Sequence, residues 1–188
     1  TDIGQEEISH LNFGRDMPSL LQMTPSVVAT SESGNGIGGT AFRLRGSDAS
    51  RINITTNGVP MNDAESHSIY WYDTPDMASS VGTIQVQRGA GTSTNGTGAF
   101  GGSVNMTTAP MSGEFSGEAS LSYGSYNTNK QSLRIGSGLM GGHWTVDARF
   151  SHISSDGYVD RASTKLDSYM VQAGYYDGGT AVKLISFG

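Results

Sequence analysis

The sequence predicts an α+β domain over residues 1–109, with a small mixed sheet and short helices, followed by long antiparallel β-strands over residues 110–188. Three observations support this prediction. Glycine contributes 27 of the 188 residues, about twice its usual share, which favours tight turns over long helices. Short alternating segments bounded by turn residues fill the first part. Longer alternating segments begin after Pro110.

The chain begins with a polar stretch and a short helix. The few apolar residues of the first 14 support a short strand or turn: Ile3, Ile8 and Leu11. A helix is predicted over residues 16–22, because Asp16 is placed to cap it and Pro18 suits its first turn. Thr24-Pro25 then ends it.

Loops and short strands make up the rest of the first part. Residues 31–39 are rich in glycine and serine and predict a flexible loop. Asn57-Gly58 is a turn signal between strands, and a loop over residues 63–75 carries three adjacent aromatic side chains. The predicted strands span residues 42–45, 51–56, 83–87 and 102–107.

The second part alternates over lengths of about 9–11 residues, which a tilted strand needs to cross a bilayer. Apolar residues of the clearest segment share one side: Trp144, Val146, Ala148 and Phe150. Polar residues share the other: Thr145, Asp147, Arg149 and Ser151. A transmembrane barrel and a soluble sheet with one buried face both alternate in this way, so the pattern alone leaves both open.

Composition and motifs exclude several classes of protein. The net charge of −6 argues against nucleic acid as a partner, and the absence of cysteine excludes thiolate metal sites and thiol nucleophiles. Two glycine patterns match a dinucleotide fingerprint, at residues 96–101 and 136–141, but no helix is predicted after either. His67 lies near Glu65 and Asp63, a set better explained as solvated side chains than as a metal site. We predict no catalytic residue, no cofactor and no metal.

Two arginines share a distinctive context. Arg45 and Arg88 each end an apolar alternating strand, and a glycine follows each one, Gly46 and Gly89. A surface position beside a turn explains each arginine taken alone. Buried positions would require carboxylate partners, because an unpaired buried charge costs several kcal/mol.

Taken in order, several blocks resemble the plug domain of TonB-dependent outer-membrane receptors over roughly residues 2–108. These blocks are Thr24-Pro25-Ser26-Val27, Arg43-Leu44-Arg45-Gly46, Arg51, Asn57-Gly58-Val59-Pro60, Asp63 and residues 84–89 and 96–105. The chain departs from the family pattern at three positions. Asn57 replaces the usual Asp, Gln85 a frequent Glu, and Ala90 a common Pro.

The resemblance implies that residues 1–109 form a plug and residues 110–188 the first four or five strands of a transmembrane β-barrel. A barrel around a plugged lumen has about 22 strands, so we expect most of the barrel to lie outside this chain. The implied activity is active import of a scarce or bulky substrate across the outer membrane of a Gram-negative bacterium. A ferric siderophore or haem-type chelate is the favoured substrate; cobalamin, a glycan or a peptide are alternatives.

Partners follow from the same resemblance. TonB, with its inner-membrane energising complex, would pull the plug aside through a segment preceding Thr1. Outer-membrane lipid and a small-molecule or metal-chelate substrate are further implied partners, and a surface lipoprotein is an additional candidate. A soluble or surface-displayed all-β adhesion module is the alternative of another class, and it would fold cooperatively in water without detergent.

The resemblance also assigns candidate site residues. Arg45 and Arg88 would form a plug–barrel lock with glutamates beyond Gly188. Loops over residues 31–39, 66–73 and 92–98 would bind substrate, and the tyrosine and tryptophan side chains supply contact area with a polar tip. The substrate-contact candidates are Asn35, His67, Tyr70, Trp71, Tyr72 and Asn95, with packing against the barrel wall as the alternative role of the aromatic residues. The turn or gate glycines are Gly46, Gly58, Gly89, Gly96, Gly101 and Gly102.

Overall fold

The computed structural model describes residues 1–90 and 100–188. We call residues 1–109 the plug-like domain. Its helices are α1 (Gln5–Leu11) and α2 (Met17–Leu21). Its strands are β1 (Asp2–Gly4), β2 (Val27–Ser31), β3 (Thr40–Leu44), β4 (Ile52–Thr56), β5 (Val59–Pro60), β6 (Val81–Arg88) and β7 (Gly102–Thr108).

A five-stranded mixed sheet forms the centre of the plug-like domain, in the order β1-β6-β7-β4-β5. The β4–β7 pair is parallel and the other three pairs of this sheet are antiparallel. All five residues of β4 are buried, as expected for a strand that pairs in parallel at the interior of a sheet. β2 and β3 form a separate hairpin around the loop over residues 31–39. The predicted mixed sheet is therefore confirmed.

The helical predictions succeed in part. α2 lies within the predicted span, with Pro18 in its first turn. Asp16 occupies the position before the helix, but its side chain makes no capping hydrogen bond and instead accepts one from the Thr40 hydroxyl at 2.8 Å. α1 is not predicted by the sequence, because it presents only Ile8 and Leu11 as apolar residues among polar ones.

The second part forms one antiparallel sheet, which we call the wall sheet. Its strands are β8 (Phe115–Gly124), β9 (Thr128–Ser137), β10 (Trp144–Ser155), β11 (Thr164–Asp177) and β12 (Thr180–Phe187). Each strand pairs with its neighbour in sequence, so β8 and β12 form the edges of an open sheet within the described residues. These five strands confirm the predicted incomplete barrel.

The two faces of the wall sheet are reversed relative to those of a soluble sheet. On β10, the apolar Phe150 is 56% exposed, whereas the polar side faces the plug-like domain and Arg149 is 3% exposed. Exposed apolar side chains continue across the other strands: Leu121, Leu133, Tyr169, Val182 and Leu184. A soluble sheet would bury these residues, whereas a membrane barrel presents them to lipid.

None of the helices in the described part of the chain is long and apolar enough to span a membrane.

We expect a charge on the outward face of the wall sheet to block assembly in the membrane. Phe150 lies near the middle of β10, where a Lys at the bilayer midplane costs about 2–4 kcal/mol. Phe150→Lys in the natural gene product should therefore reduce the folded fraction recovered from outer membranes, measured by the heat-dependent shift in gel mobility.

Val59→Lys is the matched control, because Val59 is a similarly exposed apolar residue on the plug-like domain. We expect this control to assemble normally. Equal recovery of both variants would contradict a lipid-facing wall sheet.

Candidate functional site

A buried carboxylate joins the plug-like domain to the wall sheet. Asp76 precedes the 3₁₀ turn Met77–Ser80, is 2% exposed, and has a left-handed backbone with φ of 52°. Its Oδ1 accepts hydrogen bonds from Lys130 Nζ at 2.6 Å and from Ser79 Oγ at 2.6 Å. Its Oδ2 accepts from Arg149 Nη1 at 2.8 Å and from Ser151 Oγ at 2.5 Å. We call this set the Asp76 hub.

The Asp76 hub places two wall cations around one carboxylate of the plug-like domain. Lys130 lies on β9 and Arg149 on β10, and both are almost fully buried. Serine hydroxyls take up further donors: Arg149 Nε donates to Ser80 at 2.6 Å and Lys130 Nζ to Ser79 at 2.8 Å. Removing one partner of a buried ion pair costs about 3–5 kcal/mol, because it leaves an uncompensated buried charge.

The pKa of Asp76 reflects a balance of two opposing effects. Burial opposes the ionised form and would raise the pKa, but the charges of Lys130 and Arg149 outweigh it and lower the pKa of this carboxyl below its usual 3.8. Because the pKa is lower in the folded protein, the hub contributes its stability above pH 3.8 and loses it as the pH falls further.

A second ion pair lies entirely within the wall sheet. Arg134 on β9 contacts both carboxylate oxygens of Asp147 on β10, at 3.0 and 3.2 Å from Nε and 3.0 Å from Nη2. Asp147 is as buried as the hub residues. This pair stabilises the wall but does not hold the plug-like domain, so it serves as an internal comparison for the Asp76 hub.

Loop 31–39 is docked against the ends of the wall strands. Asn35 Nδ2 donates to Ser155 Oγ at 2.6 Å, and the Ser33 carbonyl accepts from the backbone N–H groups of Tyr158 and Val159. Of the substrate-contact candidates, Asn35 therefore helps to join the β2–β3 hairpin to the wall sheet. Asn95 lies outside the described residues.

The aromatic candidates separate into two environments. Trp71 is 2% exposed and packs against Phe42 in the core, with ring centroids 6.3 Å apart. Tyr70 and Tyr72 remain exposed and lie against each other, with centroids 5.7 Å apart. The candidate contact surface therefore consists of the two tyrosines. Trp71, which lies between them in sequence, anchors this segment in the core.

His67 is exposed on a loop that is held by hydrogen bonds to Asp63. Its N–H donates to the Asp63 carbonyl at 2.9 Å, and the Asp63 side chain accepts from the N–H groups of Glu65 and Ser66. Within the described residues, no three histidine or carboxylate side chains come together as a metal site.

The two arginines of the proposed lock line the same cleft. Arg45 and Arg88 line one open cleft with the amino terminus at Thr1, and the Arg45 guanidinium lies 3.7 Å from where a Cβ on residue 89 would be. Both are exposed, and neither forms an ion pair with any other described residue. Their pairing with glutamates stays a prediction.

The gate glycines meet two structural needs. Gly46, Gly58 and Gly89 have positive φ, which glycine adopts without strain. Gly102 starts β7 where a Cβ would clash with the Gln87 carbonyl oxygen, and Gly101 approaches Ser47 closely. Gly96 lies outside the described residues.

Sequence reasoning missed the Asp76 hub. The alternation of β10 already placed Arg149 on the polar side, and a charge on an enclosed face needs a partner. Asp76, however, lies in an irregular segment that has no period, and nothing in the local sequence connects it to residues 54 and 73 positions further along. Only the fold brings them together.

Asp16 is a second buried carboxyl of the plug-like domain. Burial raises its pKa to about 6, and hydrogen bonds from Thr40 and the Gly38 backbone offset this only in part. Its Oδ1 has no hydrogen-bond partner among the described residues. The ionised form is therefore disfavoured in the folded state.

Comparison with known proteins adds independent findings. The family model described as "TonB-dependent Receptor Plug Domain" matches residues 1–103. A protein of Vibrio vulnificus (strain YJ016), named vitamin B12 transporter BtuB, is 27% identical over 172 residues, which cover 91% of this chain and 27% of that protein.

Solved structures share the fold over the whole chain. Pseudomonas aeruginosa FpvA, bound to a heterologous pyoverdine, superposes with a TM-score of 0.82 at 16% identity, over 100% of this chain and 24% of that one. The siderophore receptor PirA from Acinetobacter baumannii gives 0.77 at 19% identity, over 100% and 31%. The chain thus spans about a quarter to a third of the length of these proteins.

We expect Asp76→Asn to loosen the plug-like domain from the wall. Asn tolerates the left-handed backbone at this position but leaves Lys130 and Arg149 without a counter-charge, a loss of about 3–5 kcal/mol. The urea midpoint for proteolysis of the plug-like domain should fall in outer membranes that contain the natural gene product. Asp147→Asn is the control, and an equal fall in both variants would contradict the role of the hub.

Asp16 predicts a separate pH dependence. Because its pKa is raised to about 6 from 3.8, the contribution of Asp16 to stability is fully present below pH 4 and is lost as the pH rises through 6, by about 3 kcal/mol at most. Thermal unfolding of the natural gene product and of Asp16→Asn at pH 4.5 and 7.5 measures this difference. In Asp16→Asn this pH-dependent part of the stability should be absent. The same pH dependence of thermal unfolding in both proteins would contradict the prediction.

Proposed function

This chain belongs to the family of TonB-dependent receptor plug domains, and we propose that its natural gene product imports a scarce or bulky substrate across the outer membrane of a Gram-negative bacterium. In this proposal the plug-like domain closes the barrel lumen until TonB, driven by the inner-membrane energising complex, displaces it. No covalent chemistry is required, which agrees with a transporter or receptor family rather than an enzyme.

The Asp76 hub is the observation that carries the gating part of the proposal. A domain that must stay closed at rest and move under load needs strong contacts that water can replace. Ion pairs and hydroxyl hydrogen bonds meet this need, because their partners regain water when they separate, so a typical hydrogen bond contributes only about 0.5–1.5 kcal/mol net. The outward apolar face of the wall sheet supports placement in a lipid bilayer.

A ferric siderophore or haem-type chelate is the substrate we favour. Two of the similar structures are a pyoverdine-bound FpvA and a siderophore receptor, which supports iron chelates. The relative named vitamin B12 transporter supports cobalamin as the second candidate, and it has the higher sequence identity. A glycan or peptide stays an alternative without a specific observation in its favour.

We propose residue roles for this import. Tyr70 and Tyr72 supply exposed aromatic surface for the substrate. Arg45 and Arg88, which line the same cleft near Thr1, pair with glutamates of the remaining barrel. Asn35 holds loop 31–39 to the wall, and His67 stays a candidate contact on an exposed loop.

The test is uptake by cells that carry or lack the gene. We expect the deletion to abolish uptake of ⁵⁵Fe-loaded siderophores at low concentration, and an uncoupler of the proton gradient to abolish it in the wild type. ⁵⁷Co-cobalamin and haem are measured in parallel. Loss of cobalamin uptake alone would establish the second candidate, and unchanged uptake of all three would contradict import of these substrates.

Tyrosine variants locate the contact surface. Replacing Tyr70 and Tyr72 by Ala should raise the half-saturating concentration about tenfold, equivalent to about 1.4 kcal/mol, because exposed aromatic anchors dominate such contacts. Val59→Ala is the control on another exposed apolar residue of the same domain. An unchanged half-saturating concentration would exclude the two tyrosines as contacts.

A further inference from the structure

The plug-like domain contacts the two halves of the wall sheet in different ways. On β11, Met170 is 1% exposed and belongs to the same apolar cluster as the core of the domain. On β12, Ile185 and Phe187 pack against that cluster. No residue of β8, β9 or β10 contributes to it within the described chain. The β11–β12 half is therefore held mainly by apolar packing, beside a hydrogen bond from Lys183 Nζ to Thr108 Oγ1 at 2.8 Å.

Contacts to β8, β9 and β10 are mostly polar and surround a cleft, although the apolar Ile153 of β10 is also buried on the inward side. The Asp76 hub supplies the main contacts here, and the end of α1 joins it: Asn12 Nδ2 donates to Ser79 Oγ at 2.8 Å, and Lys130 Nζ donates to Asn12 Oδ1 at 3.4 Å. Beside the hub lies a cleft of about 180 Å³ between α1 and the wall. Its lining includes Gln5, Ser9 and Asn12 from the domain and Glu118, Ser120 and Ser132 from the wall.

The free energy needed to separate the plug-like domain from the wall sheet differs in origin between the two halves. Water can replace the hydroxyl, amide and charged partners along the cleft, so parting them recovers most of each hydrogen bond. Exposing the apolar contact at β11 and β12 costs about 25 cal/mol per Å², with no compensating partner. The two halves therefore differ in the kind of contact that a displacing force must break.

We propose, on the basis of the import function above, that the passage opens at this cleft, with the plug-like domain tilting away from β8, β9 and β10 about its apolar contact with β11 and β12. Hydroxyl, amide and charged groups line the opening on both sides, together with Ile8, Ala78 and Val81 on the domain side. Such a lining offers hydrogen-bonding partners to a hydrated solute. Because the end of α1 bonds to the Asp76 hub, displacement of the N-terminal segment acts directly on the contacts that close the cleft.

Thiol labelling tests the direction of opening without any substrate. The chain contains no cysteine, so single variants report unambiguously. Ser132→Cys faces the cleft and Ile185→Cys faces the apolar contact, and both positions are half-buried. The natural gene product in outer-membrane vesicles is titrated with urea and a membrane-impermeant maleimide, and each rate is divided by its value without urea.

We expect the Ser132→Cys ratio to rise at least tenfold at urea concentrations that leave Ile185→Cys unchanged. Ser120→Cys and Phe187→Cys repeat the comparison at neighbouring positions of each half. A simultaneous rise at both positions, or an earlier rise at Ile185→Cys, would overturn the proposal.

Tethering relates the opening to transport. A thiol-cleavable crosslink between Ser9→Cys and Ser120→Cys bridges the cleft and should reduce uptake of ⁵⁵Fe-loaded siderophores or ⁵⁷Co-cobalamin at least tenfold until it is reduced. The control joins Thr108→Cys to Lys183→Cys on β12, whose native side chains are 2.8 Å apart, and should leave uptake intact.

Equal effects of the two tethers would overturn the location of the passage. Absence of uptake in the reduced variants and in the wild type would instead overturn the import function, and the labelling ratios would then decide the direction of opening on their own.

Discussion

The arrangement of this protein depends on one constraint, the neutralisation of a carboxylate that the fold removes from water. Asp76 reaches its wall partners only if the 3₁₀ turn that follows it is pressed against β9 and β10. Its position therefore sets the orientation of the plug-like domain, and the serine hydroxyls around it satisfy the remaining donors. An apolar contact of equal size would hold the domain as firmly but would not fix its register, because apolar packing has no direction.

The reversed wall sheet follows from the same constraint. A strand that supplies Lys130 or Arg149 to the interior must alternate, so most of its apolar residues point outward, with Ile153 of β10 as an exception. Lipid is the environment in which an outward apolar face and an inward polar face are both favourable. Charge pairing inside and hydrophobic exposure outside are thus two aspects of a single alternating pattern.

Local signals allowed much of the fold to be predicted from sequence. The Asn57-Gly58 turn, the loop over residues 31–39 and the alternation of β10 each arise from neighbouring residues, and the structure contains all three. α1 was missed because its polar residues outnumber its apolar ones. The burial of Trp71 and the partners of Asp76 depend on contacts between distant segments, which no short pattern encodes. The arginine lock and substrate-contact roles come from family resemblance and stay predictions.

The left-handed backbone of Asp76 restricts the modularity of the protein. A residue with φ of 52° must be one that accepts this conformation, and it must also carry a negative charge for two wall cations. Aspartate meets both conditions, whereas asparagine and glycine meet only the first and glutamate only the second. The plug-like domain of this chain is therefore not freely interchangeable with one that lacks an aspartate at this position. A functional chimaera would have to transfer Asp76, Lys130 and Arg149 as one unit.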